Sequence, residues 1–231
     1  MSIAEKLIRA KADYDEVYEA GKQAEYNALW DTFQECGKRT WYQYGFVGSG
    51  WDFTNFYPKY DLKPEQAERM FYGWDGDTQT GSIKQRLEEC GVILDTSKCV
   101  NLTNIFSYCR TITEVPVIDM TAAATNSSAM FRDCYILVTI EKLIVASGNN
   151  YNSTMFQSCR SLQNLVIEGT IGQNGFDVHW STQLSHDSLM SIINALKSGV
   201  SGLTVTLGSA NLAKLTDAEK AIATEKGWTL L

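Results

Sequence analysis

The chain has 231 residues, of which 44% are hydrophobic and 20% are charged. These proportions are typical of a folded globular protein and exclude intrinsic disorder as its main state. The 20 Lys and Arg residues against 27 Asp and Glu residues give a net charge of −7, which repels phosphate backbones and anionic membranes on average. We therefore expect no nucleic acid among its partners.

The sequence contains no run of 18 apolar residues, and residues 1–11 alternate charged and apolar side chains without the hydrophobic stretch of a secretion signal. We expect that the chain does not insert into a membrane. We also expect that it is made in the cytoplasm without a signal peptide. The six cysteines are too few for a disulfide scaffold, and we expect free thiols in a reducing compartment.

An N-terminal helix is predicted within residues 1–37. Ser2 and Glu5 form a capping box, and apolar residues then alternate at spacings of four and three. These seam residues are Ile3, Leu7, Ala10, Tyr14 and Val17. An apolar seam with these spacings is typical of a coiled coil. An isolated helix of two to three heptads is only marginally stable in water, so its apolar seam must pack against something. The helix either packs on its own domain or associates with copies of itself.

Residues 38–183 contain a repeat, which is visible when the chain is aligned on one phenylalanine per unit. The aligned residues are Phe46, Phe71, Phe106, Phe131 and Phe156. The interval between them is constant except between Phe71 and Phe106, where it is longer. That longer interval contains residues 82–91, which we interpret as an inserted helical turn or two. The sequence therefore has a period of about 25 residues, within the range of solenoid repeats, with one insertion.

Each of the three clearest units continues into a short β-like run that begins about nine residues after its phenylalanine. One strand per unit predicts an α/β solenoid with a parallel sheet along one face. Cysteines occupy the third position after the phenylalanine, at Cys109, Cys134 and Cys159. We interpret them, together with the five phenylalanines, as a buried structural core rather than a metal or redox site, because stacked units give parallel Cβ vectors and no histidine shares the column.

The segment 184–231 is predicted to be a β-α-β cap that covers the open end of the solenoid. Ser185 is the predicted N-cap of a helix that ends at Gly199. A strand is expected over residues 203–207, followed by a helix that begins at a capping box of Thr216 and Glu219, and a last strand over 228–231.

The sequence offers little for catalysis. It has two histidines, His179 and His186, and the adjacent Ser185, His186 and Asp187 cannot adopt the geometry of a catalytic triad. It also lacks zinc-binding spacings, an EF-hand loop and a phosphate-binding glycine loop. We expect a non-enzymatic protein with no catalytic residue, no metal site and no cofactor.

Aromatic residues are concentrated between positions 41 and 74. Large apolar side chains are needed to seal the first unit of a solenoid, and exposed Trp and Tyr are also typical of surfaces that bind sugars or proteins. Both interpretations remain open for this segment. Its candidate binding residues are Trp41, Tyr42, Trp51, Tyr57, Tyr60 and Trp74.

The repeat core MF-x-x-C-x-x-L-x-x-I, at residues 130–140 and 155–165, resembles the BspA-like class of bacterial leucine-rich repeats. The opening segment 3–22 and the tail 205–230 resemble such proteins from phage and prophage tail modules of gut Gram-positive bacteria. The first two units depart from the pattern, since Ser49 and Trp74 stand at the cysteine position.

The resemblance implies a phage tail-tip or receptor-binding protein, a virion component made in the bacterial cytoplasm that recognises a protein or glycan on the host surface. Other tail proteins and copies of the chain are further implied partners, with a trimer as the first expectation. A bacterial surface adhesin of the same repeat class is the alternative, followed by a cell-wall glycan hydrolase.

Overall fold

The structure is a computed structural model that describes residues 61–62, 71, 81–82, 93–123 and 127–231. Before residue 184 these residues form β1 (Asp61–Leu62), β2 (Gly81–Ser82), β3 (Ile93–Leu94), β4 (Ile112–Val115), β5 (Ile118–Asp119), β6 (Thr139–Val145) and β7 (Asn164–Gly169). After it come α1 (His186–Ala195), β8 (Leu203–Val205), α2 (Ser209–Leu212), α3 (Asp217–Glu225) and β9 (Trp228–Leu230).

The strands of the largest sheet are parallel, and neighbouring strands among β4 to β7 are offset by one repeat unit, whereas β2 pairs with β4 in a different register, Gly81 with Ile112. Val115 pairs with Ile140, and Ile140 pairs with Leu165. β6 pairs with β7 on one side and with both β4 and β5 on the other. β4 and β5 are separate strands because Pro116 lies between them and has no N–H to donate to a ladder.

A column of phenylalanine rings lies beside this sheet in the interior. Phe71, Phe106, Phe131 and Phe156 are completely buried. Neighbouring rings are stacked, with centroids 5.1 to 5.6 Å apart and planes within 10° of parallel. Each buried ring contributes about 1.5–3 kcal/mol by burial, and each stacked pair adds about 0.5–1.5 kcal/mol. The column is therefore a main source of stability.

The turn that follows each phenylalanine has the same conformation in successive units. Tyr108, Asp133 and Ser158 lie two residues after their phenylalanines, and their φ angles are 62°, 59° and 64°. Positive φ is uncommon for residues other than glycine. Its recurrence at one position means that the next side chains leave the turn in the same direction, which creates a row of equivalent surface positions.

The repeat continues for one more unit, in which a serine takes the phenylalanine position. The N–H of Leu184 bonds to the carbonyl of Ser181, as the N–H of Cys159 bonds to the carbonyl of Phe156 one unit earlier. Phe176 lies five positions before Ser181, and its ring centroid is 5.6 Å from that of Phe156 at a tilt of 57°. The column of rings is thus continued by a residue from a different place in the unit.

Helix α1 lies along the edge of β7 and satisfies its backbone. The Ser188 hydroxyl accepts from the N–H of Leu165 at 2.9 Å and donates to the carbonyl of Gln163 at 3.0 Å. The Ser191 hydroxyl accepts from the N–H of Ile167 at 2.8 Å. An uncovered strand edge is a template for aggregation, and here two side chains of a helix replace the next strand.

The last elements form a small parallel pair, β8 with β9, connected by α2 and α3. The Trp228 side chain is 2% exposed, and its Nε1–H donates to the carbonyl of Lys197 at 2.8 Å. Gly227 precedes it with a φ of 93°, and a Cβ there would collide with the carbonyl oxygen of Val200. Glycine is therefore required where α3 turns into β9.

Several boundaries differ from those predicted. Helix α1 ends at Ala195 rather than Gly199, because the N–H of Lys197 bonds to Ile171 and draws the chain into an extended bridge. Helix α2 was not predicted, and Ser82, expected in a helical insertion, lies in strand β2. The remainder of that insertion is outside the described residues.

Candidate functional site

The residues proposed for binding and for oligomerisation lie outside the described residues. They are Trp41, Tyr42, Trp51, Tyr57, Tyr60 and Trp74 for binding, and Ile3, Leu7, Ala10, Tyr14 and Val17 for oligomerisation. The same holds for Phe46 of the repeat core. Both interpretations of the helix seam, and both of the aromatic segment, remain predictions.

The repeat cysteines lie in the core, and each ties its unit to the preceding one. The thiol of Cys109 donates to the carbonyl of Phe71 at 2.7 Å, and that of Cys134 donates to the carbonyl of Phe106 at 3.0 Å. Cys159 makes the same bond to Phe131. All three thiols are free and completely buried.

Burial also determines the chemistry of these thiols. Desolvation, the largest cause, raises the pKa of Cys134 and of Cys159 well above the ordinary value of 9.0, and the neighbouring thiol contributes further. The thiolate is the reactive form of cysteine. These two side chains are therefore structural hydrogen-bond donors and are unsuited to nucleophilic or redox chemistry.

Each of the two histidines contacts a carboxylate. His179 Nδ1 lies 2.6 Å from Asp177 Oδ1, and its ring packs against Trp180, with 4.8 Å between ring centroids. His186 is the first residue of α1, and its Nε2 lies 2.8 Å from Glu219 Oε1.

The carboxylate of Glu219 belongs to the helix cap. Hydrogen bonds from the backbone N–H and the hydroxyl of Thr216, followed by the contact with His186, lower the pKa of Glu219. The predicted capping box of Thr216 and Glu219 is confirmed. His186 thus joins α1 to the start of α3.

The solvent face of the sheet is polar and is held by cross-strand contacts. Asn164 Nδ2 donates to Thr139 Oγ1 at 3.1 Å, and Lys142 Nζ lies 2.6 Å from Glu168 Oε2. Between these pairs Val166 is 47% exposed. Such a face can hydrogen-bond a ligand, and Lys142 and Glu168 on it neutralise each other.

A second surface follows the row of turns, and we name it the arginine–tyrosine edge. The residue after the repeat cysteine is Arg110, Tyr135 and Arg160 in three successive units, and all three side chains are exposed. Beside them lie Arg132 and Tyr108 in the adjoining turn positions. The edge therefore has three cationic and two aromatic side chains on a fixed backbone.

Contacts between units hold these side chains in place. The Arg110 guanidinium carbon lies 5.8 Å from the centroid of the Tyr135 ring, and that of Arg132 lies 5.7 Å from the Tyr108 ring. Contacts of this kind contribute about 0.5–1 kcal/mol at exposed sites. Arg132 also lies beside Asp133, with 3.3 Å between Nε and Oδ2.

The arginine–tyrosine edge was not identified from the sequence. Its signal was the position immediately after each repeat cysteine, which holds Arg, Tyr and Arg in turn. These positions are one repeat unit apart, so they do not follow the periodicity of a helix or a strand. That they form one surface becomes clear only from the contacts between units.

Within the described ranges, no group of three or more His, Cys, Asp or Glu side chains is arranged to hold a metal ion. No helix in the same ranges has the length and apolar character needed to cross a membrane.

Comparisons of the chain with protein-family models, curated proteins and solved structures found no match.

Proposed function

We propose that this chain is a non-enzymatic binding protein, built as a leucine-rich-repeat solenoid of about 25-residue units, that holds a ligand on equivalent positions of successive units. The observation that supports this proposal is the arginine–tyrosine edge. Arg110, Tyr135 and Arg160 occupy one position in three units and are all exposed. Stacked repeats present such rows as extended surfaces suited to a long ligand.

The resemblance of the repeat core and of both terminal segments supports a more specific role. In this proposal the chain is a receptor-binding protein at the tip of a phage tail, and it recognises a protein or glycan on the bacterial host surface. Residues 1–37 join three copies and contact other tail proteins, and residues 184–231 close the end of the solenoid.

The test is binding of the labelled full-length chain to a panel of intact gut Gram-positive bacteria, measured by flow cytometry. We expect saturable binding to some strains that the unlabelled chain displaces, with no release of soluble sugar from the cell walls. Heat-unfolded chain is the control for non-specific adhesion.

Two outcomes contradict the proposal. Binding to every strain at the level of the unfolded control excludes host recognition, and release of wall fragments indicates the glycan hydrolase instead. Immunogold labelling of phage particles and of bacterial cells then separates the tail protein from the surface adhesin, because each places the chain on a different object.

A further inference from the structure

After residue 92 the arginines are concentrated on the arginine–tyrosine edge, whereas the lysines lie outside its turn segments. The chain carries a net charge of −7, yet every arginine after residue 92 lies on this edge. These arginines are Arg110, Arg132 and Arg160. In the turn segments 107–110, 132–135 and 157–160 the only carboxylate is that of Asp133. The edge is therefore a local cationic strip on an acidic protein, and such a strip attracts anions.

Within the described part of the chain, two of these three guanidinium groups have no carboxylate partner. Across residues 93–123 and 127–231, Arg132 pairs with Asp133, whereas Arg110 and Arg160 make no ion pair. The Arg110 guanidinium instead packs over the Tyr135 ring. A guanidinium that packs by its face keeps its N–H groups available for a ligand.

The backbone beneath the strip is held between units. The N–H of Tyr108 donates to the carbonyl of Arg132 at 2.7 Å, and the N–H of Asp133 donates to the carbonyl of Gln157 at 2.8 Å. The thiols of Cys134 and Cys159, each one residue before a side chain of the edge, also donate to carbonyls of the preceding unit. Neighbouring units of a parallel sheet are about 4.8 Å apart, so Arg110 and Arg160, two units apart, are separated by about 10 Å along the stack.

We propose that the arginine–tyrosine edge binds a linear acidic polysaccharide, whose carboxylates contact Arg110 and Arg160 while a sugar ring packs against the exposed part of Tyr135. This inference rests on the proposed binding function and names its ligand class. The planar fork of arginine matches a carboxylate through two parallel hydrogen bonds. Flat aromatic rings give the apolar contact that sugar faces need.

The shape of the edge favours a polysaccharide over a protein. A specific protein partner usually covers about 800 Å² of each surface. The arginine–tyrosine edge is instead a single row of turns, whose Arg110 and Arg160 are about 10 Å apart along the stack. A polymer with a carboxylate on each sugar can bind along such a row at several positions of its chain. Its affinity therefore depends on charge and on the alignment of Arg110 with Arg160.

The test uses the full-length chain and a hexamer of galacturonic acid, with binding measured by isothermal titration calorimetry. We expect the variant Arg110→Gln/Arg160→Gln to lose affinity by at least about tenfold, which corresponds to one well-formed charged contact. The matched control Lys197→Gln/Lys220→Gln removes the same charge from exposed or half-exposed positions after residue 184, and we expect its affinity to change less than twofold.

The conservative variant Arg110→Lys/Arg160→Lys keeps the charge and removes the fork. We expect it to bind several-fold more weakly than the wild type, whereas equal binding contradicts the paired-carboxylate geometry. The proposal is overturned if the chain does not bind the hexamer. It is also overturned if the neutral hexamer with reduced carboxyl groups binds equally well, or if poly-glutamate or polyphosphate binds more tightly.

Failure of this inference is distinguishable from failure of the proposed function. If Arg110→Gln/Arg160→Gln binds bacterial cells as the wild type does, the chain recognises its host through another surface, and only the polysaccharide site is wrong. If neither protein binds any cell above the unfolded control, the binding function itself is wrong.

Discussion

The thiol of Cys134 donates a hydrogen bond to the carbonyl oxygen of Phe106, at a distance of 3.0 Å. The equivalent bond joins Cys159 to Phe131, so each unit contacts the preceding one through a side-chain donor as well as through stacked rings. A thiol is a weak donor, and a thiolate cannot donate at all. The contact between neighbouring units therefore requires that these buried cysteines stay protonated.

This linkage predicts a loss of stability at alkaline pH. The pKa of Cys134 and of Cys159 is raised by burial, whereas in the unfolded chain these thiols titrate near 9.0. Below that pH both states are protonated, and the stabilisation is complete. Above it only the unfolded state releases protons, so the free energy of unfolding falls by about 1.4 kcal/mol per pH unit for each thiol.

Urea unfolding between about pH 7 and about pH 10.5 measures this slope. The variant Cys134→Ala/Cys159→Ala is the control for all other groups, and we expect its slope above about pH 9 to be shallower than that of the wild type. An identical slope in both proteins would show that these thiols do not contribute.

The ring column predicts the most destabilising substitution. Phe131 has a stacked ring on each side, at centroid distances of 5.6 Å from Phe106 and from Phe156. We expect Phe131→Ala to cost roughly 3–5 kcal/mol, because it removes buried surface and leaves a cavity between two rings. Thermal unfolding followed by circular dichroism measures this cost. Tyr135→Ala, at an exposed position four places later, should change stability by less than about 1 kcal/mol.

Replacing Ser188 of α1 should lower the free energy of unfolding through a lost hydrogen bond rather than through a cavity. Ser188→Ala leaves the N–H of Leu165 and the carbonyl of Gln163 without their hydroxyl partner. An unsatisfied buried donor costs about 1–3 kcal/mol, and amide hydrogen exchange at Leu165 should accelerate accordingly. Ser198→Ala, at an exposed position, is the matched control and should be neutral. Unchanged protection at Leu165 would mean that water replaces the hydroxyl.

Ser181 predicts a stabilising substitution. Its side chain is completely buried, and its hydroxyl has no hydrogen-bond partner within the described structure. Removing an unsatisfied buried hydroxyl is favourable by about 1 kcal/mol. Ser181→Ala should therefore raise the midpoint of urea unfolding. The backbone carbonyl of Ser181, which accepts from Asn211, is unaffected by this change, and a lower midpoint would contradict the prediction.

The spacing of the phenylalanines in the sequence was sufficient to bring Phe106, Phe131 and Phe156 together. A constant period requires equivalent side chains in successive units, and the structure stacks these rings directly. The capping signals of α1 and α3 were also readable, because an N-cap depends on residues three positions apart. Ser185 accepts from the N–H of Ser188, and Thr216 from that of Glu219.

Alignment on phenylalanine did not predict the unit in which the packed ring comes from a different position of the repeat. In the unit after Phe156, the period places Ser181 at the ring position, while the ring of Phe176 packs on Phe156 from five positions earlier. The arginine–tyrosine edge was missed for a related reason. Arg110 and Tyr135 belong to neighbouring units, and a local sequence pattern does not predict a contact between residues so far apart in the chain.

The seam of the N-terminal helix, outside the described residues, predicts self-association of the full-length chain. Ile3, Leu7, Ala10, Tyr14 and Val17 form a narrow apolar stripe, whereas a helix packed on its own domain usually has a broader one. We expect a trimer in light scattering at tens of micromolar, and a monomer for Leu7→Asp/Val17→Asp, because a buried carboxylate at a seam position is unfavourable.

The off-seam variant Arg9→Ser/Glu16→Ser is the control and should remain a trimer. Linked copies can exceed the affinity of a single site by about 10²–10⁴-fold when they engage together. The monomeric variant should therefore bind cells far more weakly while its affinity for a short oligosaccharide stays unchanged, since that ligand occupies one edge at a time. A monomeric wild type at the same concentration would contradict self-association and favour a helix that packs on its own domain.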